Sequence, residues 1–184
     1  EVHRGIKNCP MINQRLNGSS KFIEKGKTFQ IEDFHITPFD VPHDSNDNVG
    51  YYFEFGGHKL TLATDVGDIT DELAHYVSKA NHLIIESNYD EDLLMNGNYP
   101  YHLKRRITCG TGHLSNRQTA EFLANQITYQ LRNIWLCHLS GDNNNPELAY
   151  KTMSETLAKN GINVGEDVNL HVLERNILSA KTSF

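Results

Sequence analysis

Gly56-Gly57-His58-Lys59-Leu60-Thr61-Leu62-Ala63-Thr64-Asp65-Val66-Gly67 is the stretch on which the fold turns. Paired glycines suit a tight hairpin whose central residues need positive φ. Residues 58–64 then read as a strand, and Asp65 stands at its end. Upstream, Thr28 to Ile31 and Phe34 to Val41 alternate apolar and polar side chains, and Gly50 to Phe55 is rich in aromatic residues. Residues 28–64 therefore read as a run of antiparallel strands.

Downstream the rhythm changes to helix and strand in alternation. Thr70 can cap a helix to about Lys79 with Leu73, Ala74 and Val77 on one face. His82 to Ile85 reads as a short buried strand ending at Glu86. Asp90 to Met95 and His102 to Ile107 are short helices around Asn96-Gly97 and Tyr99-Pro100. Ser115 to Gln118 is a capping box that opens a helix to about Tyr129. Asn133 to Leu139 is a strand. Asn145 caps and Pro146 opens a helix to Lys159, which Asn160-Gly161 ends. Asn169 to Leu173 is a last strand. Strands followed by αβ units predict a layered α/β domain with a mixed sheet and flanking helices. The first 27 residues are weakly patterned, and there is no internal repeat or low-complexity tract.

With 184 residues, 38% hydrophobic and 22% charged, the chain suits one soluble core. No apolar run approaches the roughly 20 residues that span a bilayer. A net charge of −6 argues against a whole-surface grip on nucleic acid and leaves room for a local basic patch. Cys9, Cys109 and Cys137 show no CxxC spacing and read as free thiols in a reducing, cytoplasmic compartment.

In mixed sheets ligands sit beyond strand ends. Here His43, Asp65, Glu86 and His138 each follow a strand, and His113 sits on a Gly-rich turn, Gly110-Thr111-Gly112-His113, at a helix start. Taken singly, each is more often a cap, turn former or surface group. Their shared location is what makes them candidates.

These segments together resemble the metallo-β-lactamase-fold hydrolase superfamily, and within it the YycJ/WalJ-like exonuclease branch. The resemblance runs from about residue 20 to 160. It rests on His43-Asp44-Ser45, Ala63-Thr64-Asp65-Val66-Gly67, Glu86-Ser87-Asn88-Tyr89-Asp90, Leu103-Lys104-Arg105-Arg106-Ile107, Gly112-His113-Leu114-Ser115-Asn116 and His138-Leu139-Ser140 with Asn143-Asn144. It implies an αββα sandwich with a two-metal centre, Zn or Mn. His43 would bind one metal, Asp65 would bridge both, and His138 would bind the second. It also implies a catalytic Glu86–His113 pair that assists the leaving group. Ser115, Asn116, Lys104 and Arg105 are candidate substrate-binding groups. Asp44, Asn88, Asn143 and Asn144 would shape the loops around them.

The family's first metal loop, His-x-His-x-Asp-His, occurs nowhere in the chain. The expectation is that residues 1–184 are the C-terminal portion of a single metallo-β-lactamase-like domain, present only in part. Such a chain would carry part of the site, hold metal weakly or not at all, be inactive alone, and self-associate through the incomplete sandwich. The complete protein is expected to be a metal-dependent phosphodiesterase, a DNA exonuclease ahead of an RNA enzyme, using a hydroxide activated by two metals. A small-molecule phosphodiesterase or thioester hydrolase of the same superfamily, and a non-catalytic interaction domain, are the alternatives.

Overall fold

The computed structural model describes residues 22–179. In chain order its elements are strands β1 (Phe29–Ile31), β2 (Phe34–Asp40), β3 (Val49–Phe55) and β4 (His58–Ala63), helix α1 (Asp71–Lys79), strand β5 (His82–Glu86), and helices α2 (Glu91–Asn96), α3 (Tyr101–Thr108) and α4 (Asn116–Gln126). Strand β6 (Asn133–Cys137), helix α5 (Pro146–Lys159) and strand β7 (Asn169–Val172) complete it. The strands form one seven-stranded sheet in the order β1 to β7. The pairings from β1 to β4 are antiparallel and those from β4 to β7 parallel. The change of rhythm in the sequence is thus the change from hairpins to crossovers.

Local chemistry explains the boundaries. Gly56 and Gly57, at φ 52° and 83°, make the two-residue turn that sets Phe55 opposite His58. The Thr70 side chain accepts from the Leu73 amide, and Asp71 and Glu72 face the positive end of the α1 dipole. Ser115 and Gln118 complete both halves of the capping box of α4. Two expected ends shift. Helix α4 stops at Gln126 rather than near Tyr129, where β-branched Ile127 and Thr128 lower helix propensity. Strand β6 stops at Cys137 rather than Leu139, because His138 turns the chain at φ 57°.

One face of the sheet carries Tyr52, Ala63, Leu83, Ile85, Ile134, Leu136 and Leu170 into the core against Leu73 and Val77 of α1, Leu123 of α4 and Met153 and Leu157 of α5. On strand residues of the other face, Tyr51, Phe53, Leu60, Leu62 and Ile84 are half-buried. No helix among the described residues is long and apolar enough to cross a membrane.

This topology positions the candidate residues. The parallel register places Ala63 beside Ile85 and Glu86 beside Cys137. Strand β2, two antiparallel pairings from β4, runs the same way. The ends of β2, β4, β5 and β6 therefore open on one sheet edge, and His43, Asp65, Glu86 and His138 meet there.

Candidate metal and phosphodiester site

At that edge the side chains converge on one carboxylate. His43 Nε2 lies 3.4 Å and His138 Nε2 3.6 Å from the same atom, Asp65 Oδ1. Both imidazoles are held from behind. His43 Nδ1 donates to the Gly112 carbonyl at 2.9 Å, and His138 Nδ1 donates to Glu86 Oε2 at 2.7 Å. Those bonds fix each tautomer with a free Nε2 lone pair, the form in which histidine binds a metal. Asp65 and His138 are both non-glycine residues at positive φ, 55° and 57°. Asn48 steadies the first by donating to the Asp65 carbonyl at 2.8 Å, and Asn88 steadies the second by donating to the His138 carbonyl at 2.7 Å.

Glu86 is fully buried, and its oxygens are saturated. They accept from His113 Nδ1, His138 Nδ1 and the amides of Asp65 and Leu114. Burial pushes its pKa up, but the hydrogen bonds from His113 and His138 prevail and hold it below the usual carboxylate range. The same bond to Glu86 raises the pKa of His138 against its burial. The ligand atoms of Asp65, Glu86, His113 and His138 all lie within 4.8 Å of one another. Glu86 has no lone pair to spare for an ion, so it orients the donors, and the open donors are Asp65 Oδ1 and the Nε2 atoms of His43 and His138.

This set fits a borderline divalent ion. Two ligand atoms on one tetrahedral ion stand about 3.3 Å apart, close to the observed imidazole–carboxylate separations.

His113 lies between the other two rings, 4.9 Å from His43 and 5.3 Å from His138 by centroids. Its Nδ1 is taken by Glu86. Its Nε2 makes no hydrogen bond among the described residues, and the residue lines a cleft with His43. The loop that carries it is clamped. A Cβ on Gly112 would meet the carbonyl oxygens of Ile107 and Arg106 at 2.2 and 2.3 Å, and one on Gly67 would meet Thr111 Cα at 2.5 Å. Only glycine permits these approaches.

The expected substrate groups separate. Ser115 and Asn116 do not face the opening. Both are buried; Ser115 caps α4, and Asn116 pairs reciprocally with Asn144 while accepting from Ser87. Lys104 Nζ donates to the carbonyls of Met95 and Gly97, closing the end of α2. Arg105 is exposed. Of the basic run Lys104-Arg105-Arg106, the member that reaches the site is Arg106. Its Nε and Nη2 grip both oxygens of Asp44, and it lines a cleft of about 50 Å³ with His43, Asp44, Ile107, Gly112 and His113. Helical phase holds the signal: Leu103, Lys104 and Ile107 pack inward, so Arg105 and Arg106 point out. A cavity of about 670 Å³ lies at the β7 edge around Trp135, Tyr150 and His171 and includes none of the strand-end groups.

The sheet, its helices and this edge define an α/β domain of the metallo-β-lactamase fold. The chain belongs to that superfamily: the family model described as beta-lactamase superfamily domain matches residues 8–132. Among curated proteins it is similar to exodeoxyribonuclease YycJ of Bacillus anthracis, with 39% identity over 145 residues, 79% of this chain and 54% of that protein. It is similar also to exodeoxyribonuclease WalJ of Streptococcus pneumoniae, with 37% identity over 158 residues, 85% of this chain and 59% of that protein. The chain thus spans a little over half the length of these relatives. Among solved structures, the metallo-beta-lactamase fold protein YhfI from Bacillus subtilis superposes with a TM-score of 0.61 at 12% identity, covering 88% of this chain and 57% of that one. That likeness concerns the fold alone.

Proposed function

We propose that the full-length protein carrying this chain is a metal-dependent phosphodiesterase that degrades DNA, with His43, Asp65 and His138 among its metal ligands. The observation that supports this most is the pair of imidazoles locked from behind with both Nε2 atoms aimed at Asp65 Oδ1. The similarity to the two exodeoxyribonucleases supports DNA as the substrate. Divalent ions, zinc or manganese, would supply Lewis acidity to a phosphoryl oxygen and lower the pKa of a bound water. The chain's own residues do the rest. Glu86 orients His138 and His113 at once. His113, its Nδ1 fixed on Glu86, keeps Nε2 free of hydrogen bonds among the described residues and can pass a proton to the departing oxygen.

The test is cleavage of end-labelled DNA by the metal-loaded full-length protein. Asp65→Asn, His43→Ala and His138→Ala are each expected to lower turnover at least ~100-fold and to release bound metal, and His113→Ala to lower turnover with metal retained. Full activity in Asp65→Asn overturns the reading.

The half-buried aromatic face of β3 and β4 supports self-association of the 184-residue chain by itself. Sedimentation velocity checks this, and a monomer across the micromolar range sinks it. Free thiols at Cys109 and Cys137 support a reducing, cytoplasmic setting.

A further inference from the structure

We propose that Arg106 is a positioning residue that withholds the Asp44 carboxylate from metal at His43, so that a coordination position stays open there. The proposal rests on the reading of His43 as a metal ligand and adds to it the residue that limits the ligand set.

Two carboxylates stand beside one imidazole nitrogen. Asp65 Oδ1 lies 3.4 Å from His43 Nε2, and Asp44 Oδ1 lies 3.5 Å from it. Both separations are near the roughly 3.3 Å between two ligand atoms on one tetrahedral ion. By distance alone, Asp44 is as well placed as Asp65 to join His43 in binding an ion. The two differ in what else they touch. No lysine or arginine among the described residues pairs with Asp65. Arg106 grips Asp44 with Nε on Oδ2 and Nη2 on Oδ1. The oxygen beside His43 is therefore one that the guanidinium holds. A planar fork matches a carboxylate in this way, and a lone ammonium does not. The fork takes lone pairs and offsets the charge that would draw a cation.

The backbone holds this arrangement in place. The Asp44 amide donates to the Thr111 carbonyl at 2.9 Å, and His43 Nδ1 donates to the Gly112 carbonyl at 2.9 Å. Helix α3 supplies Arg106 from its last turn, and the loop that follows supplies both carbonyls. Gly112 lies so close to the helix that a Cβ there would meet the Arg106 carbonyl oxygen at 2.3 Å. Residues 43–44 and 106–112 are thus tied together as one unit. Within it the Asp44 carboxylate becomes a ligand only if the guanidinium releases it.

Stability does not account for the pair. The Arg106 side chain is 65% exposed and that of Asp44 29%, and an ion pair so open to water adds little to a fold. Chemistry at a metal does account for it. A structural ion is closed by its protein ligands, whereas a catalytic one keeps a position for water or substrate. A released Asp44 would tighten metal binding and fill that position. Arg106 keeps the affinity lower and the site open.

The experiment titrates the full-length protein, stripped of metal, with zinc against a chelating dye, and follows cleavage of end-labelled DNA in parallel. Arg106→Gln is expected to bind zinc ~10-fold more tightly and to turn over ~10-fold more slowly. A merely structural loss would weaken both, so the opposite signs are the signature. Arg106→Lys, which keeps the charge and loses the fork, is expected to shift both in the same directions by less. Asp44→Asn removes the withheld carboxylate. Adding Arg106→Gln to it is expected to leave zinc affinity within ~2-fold of Asp44→Asn alone. Unchanged or weaker zinc binding in both Arg106 variants overturns the proposal. An equal gain in the Asp44→Asn background also overturns it, since that marks simple charge repulsion between Arg106 and the metal. His43→Ala tests the ligand reading separately. Zinc release by His43→Ala, with parent-like Arg106 variants, removes the role of Arg106 and leaves that reading standing. A gain that depends on Asp44, in a protein that cleaves no DNA, removes the phosphodiesterase reading and leaves the role of Arg106.

Discussion

Asp65 and His138 sit in backbone conformations that cost non-glycine residues about 1–3 kcal/mol each. Both are strand-terminal, both are steadied by an asparagine amide, and both aim a donor at the same point. Strain of this kind persists where the surroundings over-determine it, and here Glu86 is the centre of that constraint. Replacing Glu86 with Gln keeps the volume but turns one acceptor into a donor facing imidazole and amide N–H groups. The variant is expected to lose about 1–3 kcal/mol of stability and 10–100-fold in metal affinity, read by thermal melting and by metal titration. The cysteines offer a second check at this scale. The Cys109 thiol is exposed, and hydrogen bonding from Thr111 lowers its pKa. Burial pushes that of Cys137 up to about 12. Iodoacetamide at neutral pH is expected to alkylate Cys109 quickly and Cys137 only on unfolding, and peptide mass mapping reads each site separately. Equal rates at the two would contradict the burial of β6.

The loop after α3 is the element that joins the parts of the site. Its Gly112 carbonyl orients His43, its His113 enters the cluster, and its Thr111 carbonyl accepts from the Asp44 amide at 2.9 Å. Gly112 is pressed against the last carbonyls of α3, so Gly112→Ala must push the loop or the helix aside. That variant is expected to melt earlier and to weaken metal binding through His43, whereas Gly110→Ala, with only Asp68 near at 3.9 Å, should do neither. Paired thermal melts and metal titrations of the two variants check this. At this scale the sequence was highly legible. The caps Thr70, Ser115 and Asn145 and the glycine turn at 56–57 mark their elements because capping and positive φ are local requirements. The end of α4 was less so, since no strong stop follows it and the β-branched pair Ile127-Thr128 only lowers propensity.

Across the whole molecule, β5 and β6 form the buried centre of the sheet. Leu136 is fully buried, while Tyr129, a few residues earlier, is 95% exposed. Leu136→Ala is expected to cost about 2–5 kcal/mol and Tyr129→Ala less than about 0.5 kcal/mol, measured by chemical denaturation. Equal costs would mean that the sheet is not packed against α1, α4 and α5 as described. The sequence by itself determined the order of the strands and helices, the mixed sheet and the strand-end placement of His43, Asp65, Glu86 and His138, because hydrophobic period, caps and turns act over a few residues. Only the tertiary structure decided what each side chain does at the edge. It buried Ser115 in the cap of α4 and Asn116 in an amide network, spent Lys104 on the end of α2, and brought Arg106 beside His43 across a sequence gap of more than sixty residues. Such assignments depend on which faces meet when β2, β4, β5 and β6 align, and no local pattern carries that information.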